Sequence, residues 1–468
     1  MISLALSDVF AVLFVALREA MMVVAFLTAI SCLDDLAIDL IFFARHGWLH
    51  LTARQRRARR EASRIDRSRS PPIAIFVPAW DEQAVVGDML RHLTSSLDYR
   101  DYRVFVGVYP NDPGTAAAVD AVGDPRVRRV SVAHPGPTTK ADCLNALWIA
   151  LLVDETREAR RFLAVVLHDA EDVIHPDELH VFAARIPRLA MVQLPVVPLT
   201  DQDSRWVAGH YLDEFAEGHT KEMVVRAALG AAVPSAGVAC AIDRDVLGAI
   251  AAAAGGRPFD PECLTEDYEL GHRIHAMGCR GALVRIRSGA GTGTVATREH
   301  FPGAIDAAVR QKSRWLLGIA LQGWDRMGWT GDAANRWMLV RDRKGPATAV
   351  LTLAGYATAA AVLALGLLRH LAASLAALPP LIEPGSPAAA LLAFNLAILG
   401  WRLLMRMLFT GRTHGWRQGL LAAPRAVVAN AINFLAAARA LRRYVAILSG
   451  RERLSWDKTR HLVHRQEG

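Results

Sequence analysis

Cysteine is scarce. Cys32, Cys143, Cys240, Cys263 and Cys279 are the five in 468 residues, and none forms a C-x-x-C pair. An odd, scattered set argues against a disulfide framework or a zinc site and fits reduced thiols in a cytoplasmic domain. No internal repeat is evident. A basic n-region is missing ahead of the first apolar stretch, which Arg18 and Glu19 interrupt, so no cleavable signal peptide is expected. The Arg-rich run that follows has no interleaved aromatics, which argues against a nucleic-acid partner.

Apolar residues make up 52% of the chain, charged residues 21%, and the net charge is +8. The apolar excess sits at the two ends. Residues 10–32 are long enough to cross a bilayer, which takes about 20 residues. Arg45, Arg54, Arg56, Arg57, Arg59, Arg60, Arg64, Arg67 and Arg69 then mark the cytoplasmic side. Two further spans are expected at 348–370 and 387–409. The loop between them contains no Lys or Arg and belongs outside; Arg412, Arg417 and Arg425 follow and belong inside. Residues 426–448 are apolar but lead into a basic tail with Arg451, Arg453 and Lys458, so an interfacial or re-entrant helix is expected there.

The middle alternates short strands with helices, the pattern of a mostly parallel sheet covered on both faces. Strands are expected at Ile73–Val77, Arg103–Val108, Arg129–Val132, Phe162–Leu167 and Met191–Leu194. The chain then divides into N-terminal transmembrane or interfacial helices (1–44), a basic cytoplasmic linker (45–72) and an α/β domain (73–304). Interfacial helices (305–345), two transmembrane helices (346–410), and a basic loop, helix and tail (411–468) complete it.

Three short runs carry chemistry. His168-Asp169-Ala170-Glu171-Asp172 follows an apolar strand, at the strand end where α/β sheets bind ligands. Asp169 and Glu171 can share one hard cation, with Asp172 as a substitute. That cation would bridge the phosphates of a nucleotide sugar. Thr265-Glu266-Asp267 opens a helix and offers a general base. In Gln311-Lys312-Ser313-Arg314-Trp315, helical spacing puts Gln311, Arg314 and Trp315 on one face. There Arg can hold a diphosphate and Trp can present a flat apolar surface to a sugar ring. Each run alone has a plainer use: a helix N-cap for the acidic runs, an interfacial anchor for the Trp-bearing one.

Taken together and in this order, the three runs resemble the processive family-2 glycosyltransferases, which include the cellulose, hyaluronan and poly-N-acetylglucosamine synthases. Val77-Pro78-Ala79-Trp80-Asp81-Glu82, Tyr109-Pro110-Asn111-Asp112, Thr139-Lys140-Ala141-Asp142-Cys143-Leu144-Asn145 and Ser235-Ala236-Gly237-Val238-Ala239-Cys240 add to the match. Here Asn111 and Thr139 depart from the family's Asp and Gly. Y-P-N-D-P-G-T, V-Q-L-P-V-V-P, L-T-E-D-Y-E-L-G and A-N-A-I-N-F-L-A-A-A-R-A-L point within the family to the phage-adsorption protein B group.

The resemblance implies a GT-A-type, Rossmann-like catalytic domain. It would take a UDP-sugar on Pro78, Glu82, Asp112, Lys140 and Asp169, with Mg²⁺ or Mn²⁺ on Asp169 and Glu171. Asp267, beside Glu266, would be the base. Gly237, Gln311, Arg314 and Trp315 would hold the acceptor and diphosphate. The expected activity is inverting, processive transfer of an N-acetylhexosamine to an exopolysaccharide. The expected setting is a bacterial inner membrane, multi-pass, with the catalytic domain in the cytoplasm. Membrane lipid and an outer-membrane export partner are implied. Cyclic di-GMP control is in doubt, since the domain that binds it in longer members has no room before Gly468. Single transfer to a lipid acceptor and a catalytically silent receptor or scaffold are the competing expectations.

Overall fold

The computed structural model describes residues 2–51, 65, 67–288, 293–371 and 380–452. Arg54, Arg56, Arg57, Arg59, Arg60 and Arg64 of the basic run, and Arg453 and Lys458 of the tail, lie outside the described residues.

Among the described residues, nine strands form in the middle of the chain: β1 (Ile73–Pro78), β2 (Tyr102–Val108), β3 (Val127–Ser131), β4 (Ala164–Leu167), β5 (Met191–Gln193), β6 (Val196–Pro198), β7 (Cys240–Asp243), β8 (Gly281–Leu283) and β9 (Thr297–Glu299). Seven make one sheet in the order β3-β2-β1-β4-β7-β5-β8, and β6 pairs with β9 in a separate ribbon. All pairs are parallel except those of β7, which runs against both β4 and β5. Side-chain alternation divides the core into two layers. Ile73, Ile75, Val77, Val104 and Val106 pack on one face; Ala74, Phe76, Phe105 and Leu167 pack on the other. Burial on both faces explains why β1 and β4 read as continuous apolar runs.

The chain steps outward from β1 to β2 to β3, then returns to place β4 on the other side of β1. The loops leaving β1 and β4 therefore diverge at adjacent strand tips, with Phe76 in register with Leu167. A crevice at such a reversal is where open α/β sheets bind ligands.

Ser235–Ala239 is a loop, and β7 begins only at Cys240. The β6–β9 ribbon was not foreseen, because three-residue strands are too short to show a period.

Among the described residues, four helices are long and apolar enough to cross a membrane: Ala11–Gly47, Gly345–Leu371, Pro387–His414 and Trp416–Leu448. Their outward faces carry exposed Val12, Phe26, Leu363, Leu396 and Leu420, surface that belongs against lipid rather than water. The segment expected to re-enter or lie flat is one continuous helix despite its internal Pro424.

Buried ion pairs join these helices to the sheet domain through the helix Val207–Glu217 and its π-helical extension Gly218–Glu222. Lys221 Nζ donates to Glu217 Oε1 at 2.5 Å and to Asp39 of the first helix. Arg425 Nη2 meets Asp213 Oδ1 at 2.9 Å, both side chains fully buried. A buried charge stripped of its partner costs about 3–5 kcal/mol. Arg425→Leu should therefore lower the Tm of the detergent-purified protein markedly, and adding Asp213→Leu should restore most of the loss. Thermal unfolding of the two variants checks this ordering.

Candidate active site

After β4 the chain turns through His168–Asp172 without entering a helix; the next helix opens only at Glu178. His168 is fully buried, with Nδ1 2.6 Å from Asp172 Oδ2 and Nε2 2.6 Å from Glu178 Oε1. Burial opposes a charged ring, but Glu178 and Asp172 on either side outweigh it and raise the pKa to about 10. An imidazolium thus pins the loop. Asp172 Oδ2 is taken up by this contact and by the Asp169 backbone N–H at 3.3 Å, and Asp172 does not line the crevice, so the structure does not place it as the spare cation ligand expected from sequence. Asp169 and Glu171 face the crevice.

Lys140 opens the helix Lys140–Glu158, fixed by a reciprocal capping box between Thr139 and Asp142. Its Nζ lies 2.6 Å from Asp169 Oδ1 and donates to the Gly237 carbonyl at 3.5 Å. Further along the helix, Asn145 exchanges hydrogen bonds with the backbone of Phe259, at 2.7 and 3.1 Å. That clamp holds the start of the loop that leads to Thr265-Glu266-Asp267.

Thr265 occupies the N-cap position of the helix Glu266–Ala276, but its side chain makes no capping hydrogen bond. Gly318 packs on it instead: a Cβ there would lie 2.5 Å from Thr265 Cγ2. Gly318 belongs to a π-helical turn, Leu317–Gln322, that continues the helix Ile305–Leu316 bearing Gln311, Arg314 and Trp315. Gln322 of the same turn accepts from the Leu264 N–H at 3.1 Å and donates to the Glu262 carbonyl at 2.6 Å. Two motifs about fifty residues apart are thereby locked together, and π-turns of this kind are frequent at functional sites.

Pro78, Glu82, Lys140, Asp169, Glu171, Glu266, Asp267, Gln311, Arg314 and Trp315 line a single cavity of about 140 Å³. Gly237 lies behind its wall, between Ala236 and Val238. Its φ of +77° and the Asp267 Oδ2 that a Cβ would meet at 2.5 Å both require glycine. Asp112 is not in the cavity. Its carboxylate caps the helix Pro113–Asp120 and accepts the Asp81 N–H at 2.6 Å. Asn111 explains the departure from the family pattern: it both donates to the Gly136 carbonyl and accepts from the Gly136 N–H, each at 2.7 Å. A carboxylate could not supply the first bond.

Sequence reasoning missed Glu299, Phe301, Val196 and Phe215, which complete the wall. Trp315 sits edge-on to Tyr211 and Phe215, with centroids 6.2 and 6.4 Å away. Alternation along the R-E-H-F stretch was the available signal for Glu299, too short to use.

The cavity concentrates carboxylates in a low-dielectric pocket. Burial first, and Asp267 second, push Glu266 up to about 8. Burial also raises Asp267, against the pull of Lys140. Glu299 is held well above the usual range by burial and by Asp172, Glu171 and Asp169. Lys140 moves up: burial opposes its charge, but Asp169, Glu266 and Asp267 outweigh that.

No group of three or more His, Cys, Asp or Glu arranged as metal ligands occurs among the described residues. A hard cation of the Mg²⁺ type does not need one, because it takes one or two carboxylates and completes its shell with substrate phosphate and water. Asp169 and Glu171 on one wall of the cavity fit that donor set.

This sheet, with its acids at the β4 tip and across the crevice, defines a nucleotide-sugar-type transferase fold. The family model described as Glycosyltransferase like family 2 matches residues 71–318, and the chain belongs to that family. It is a glycosyltransferase. Among curated proteins it is similar to Bacteriophage adsorption protein B of Escherichia coli (strain K12), 35% identical over 97% of this chain. Bacteriophage N4 adsorption protein B of Escherichia coli O157:H7 matches equally. The chain spans 63% of the length of each. Among solved structures, the mannosyltransferase PcManGT from Pyrobaculum calidifontis, in complex with GDP-Man and Mn²⁺, shares the fold. The TM-score is 0.54 at 17% identity, over 90% of this chain and 99% of that one.

Gly237→Ala should force Asp267 aside and cut transfer by about a hundredfold, the usual order for a reacting group displaced by about 1 Å. Initial rates, measured at a temperature well below the lowered unfolding temperature of the variant, test this.

Proposed function

We propose that the chain is an inverting, processive glycosyltransferase of a bacterial inner membrane that moves an N-acetylhexosamine from a UDP-sugar to a growing exopolysaccharide. The observation that carries this is the meeting of Asp169, Lys140 and Asp267 in one cavity, with Gln311, Arg314 and Trp315 on its wall.

Glu82 and Pro78 would flank the nucleoside, and Lys140 the diphosphate. Asp169 and Glu171 would hold Mg²⁺ or Mn²⁺, which when bound supplies Lewis-acid charge to the departing diphosphate. Of the two acids in T-E-D, Glu266 titrates at about 8 and is mostly neutral at pH 7. Burial raises Asp267 as well, and the Tyr268 N–H at 2.7 Å and Lys140 oppose that rise. Asp267, the second acid of T-E-D, is the base that takes the acceptor hydroxyl proton, while Arg314 steadies the leaving group and Trp315 stacks the acceptor sugar. Attack opposite the leaving group inverts the anomeric carbon.

Processivity draws support from another cavity, about 290 Å³, that shares Trp315 with the first and runs between the helices Gly345–Leu371 and Trp416–Leu448. Thr348, Thr352, Asn430 and Asn433 line it, a hydroxyl- and amide-bearing route suited to a sugar chain. The Arg-rich flanks support a cytoplasmic catalytic domain.

Asp267→Asn should lower transfer by about 10²–10⁴-fold and leave UDP affinity nearly unchanged. Membranes given a panel of UDP-sugars with Mg²⁺ or Mn²⁺ should yield a ladder of products. A single lipid-linked sugar would replace processivity with one transfer, and full activity of the Asn variant would remove Asp267 from the role.

The pH dependence has a definite sign. The base must be ionised, so kcat/KM falls as pH drops through the raised carboxylate pKa. Lys140 pulls that pKa down. Lys140→Met should therefore shift the acid limb to higher pH, whatever its effect on the maximum rate; a pH–rate profile measures it.

A further inference from the structure

Val196 and Phe215 wall the sugar-donor cavity on one side and, on their other side, a second cavity of about 230 Å³. Among the described residues its lining contains no carboxylate. It contains three guanidinium groups, Arg285, Arg298 and Arg412, and two imidazoles, His219 and His414.

Each cation is placed by a different element. Arg298 is the middle residue of β9, whose backbone is tied to Val173 at 2.8 and 3.0 Å. Arg412 and His414 end the membrane-type helix Pro387–His414. Arg285 follows β8 and reaches the Thr220 carbonyl at 3.5 Å. Neither Arg298 nor Arg412 has an ion-pair partner among the described residues, although Asp and Glu are abundant one strand away.

The imidazoles are set up as donors. His219 Nδ1 accepts the Val196 N–H at 2.9 Å, so the neutral ring carries its proton on Nε2. Burial and Arg285 hold its pKa down to about 4, which keeps it neutral. His414 Nε2 is buried and makes no hydrogen bond among the described residues.

Arg298 and Arg412, which have no ion-pair partner among the described residues, converge on one cavity with Arg285, and planar guanidiniums match phosphate oxygens bidentately. The nearby helix C-terminus contributes only about half a negative charge against them. We propose that this cavity is a binding site for a phosphate-bearing anion, gripped by Arg285, Arg298 and Arg412 and hydrogen-bonded by His219 and His414, distinct from the sugar-donor cavity. The end of a membrane-type helix lies at headgroup depth, so the phosphate comes either from an anionic lipid or from a soluble phosphate compound. Whichever it is, the site is wired to catalysis. Successive residues of a strand point to opposite faces, and Glu299, next to Arg298, lines the donor cavity.

The full chain, purified in detergent, is titrated calorimetrically with inorganic pyrophosphate in a Lys140→Ala background that removes the donor-site contribution. A parallel arm reconstitutes it in phosphatidylcholine nanodiscs with or without phosphatidylglycerol and counts retained lipids by native mass spectrometry. Arg298→Ala with Arg412→Ala should weaken pyrophosphate binding about tenfold or more, a change of about 1.4 kcal/mol, if the ligand is soluble. The same pair should abolish phosphatidylglycerol retention if it is a headgroup. Because neither arginine has a counter-charge, the variants should unfold at the same or a higher temperature without ligand. Pyrophosphate or phosphatidylglycerol should raise the Tm of the Lys140→Ala protein. The site is overturned if neither anion raises that Tm, or if both bind the arginine-free protein as before.

Discussion

The ammonium of Lys140 is the contact on which the site depends. It lies 2.6 Å from Asp169 Oδ1, and Glu266 and Asp267 act on it as well. Without it, acids delivered by β4 and by the helix Glu266–Ala276 would repel one another across a low-dielectric gap. With it, loops from distant parts of the chain share one cavity before any donor arrives. The glycine at 237 is a condition of the same contact, because a methyl group there would occupy the space of the Asp267 carboxylate.

Around this contact the fold supplies rigidity by polar clamps, not by bulk. The imidazolium of His168 holds the β4 loop, Asn145 holds Phe259, and Gln322 holds the backbone at 262 and 264. Each clamp joins a catalytic-side loop to an element of regular structure. Pre-organised donors and carboxylates need little rearrangement during reaction, and that is where electrostatic stabilisation is most effective.

Much of this was legible in the sequence, for identifiable reasons. Strands β1 and β4 showed because burial on both faces writes an unbroken apolar run, and β2 because only Arg103 interrupts its own. The acidic, T-E-D and Q-x-x-R-W runs showed because each keeps its chemistry within five residues. Asp112 was misplaced because its role depends on Asp81 and on the partner that Asn111 finds at Gly136, neither of which spacing reveals. Asp172 looked as free as Glu171 until His168 was seen to claim it. Glu299 and the arginines around the second cavity come from short strands and helix ends, where only the tertiary fold creates the neighbourhood.

The wide turn Leu317–Gln322 has a consequence for how this chain can vary. A π-turn carries one more residue than the α-turn it replaces. Deleting one residue between Gly318 and Gln322 would close the turn to α-geometry and change the spacing of these two contact residues. Gln322 would then swing away from the backbone it clasps at 262 and 264. Chain length at this point is thus as much a condition of the site as the residues that line it.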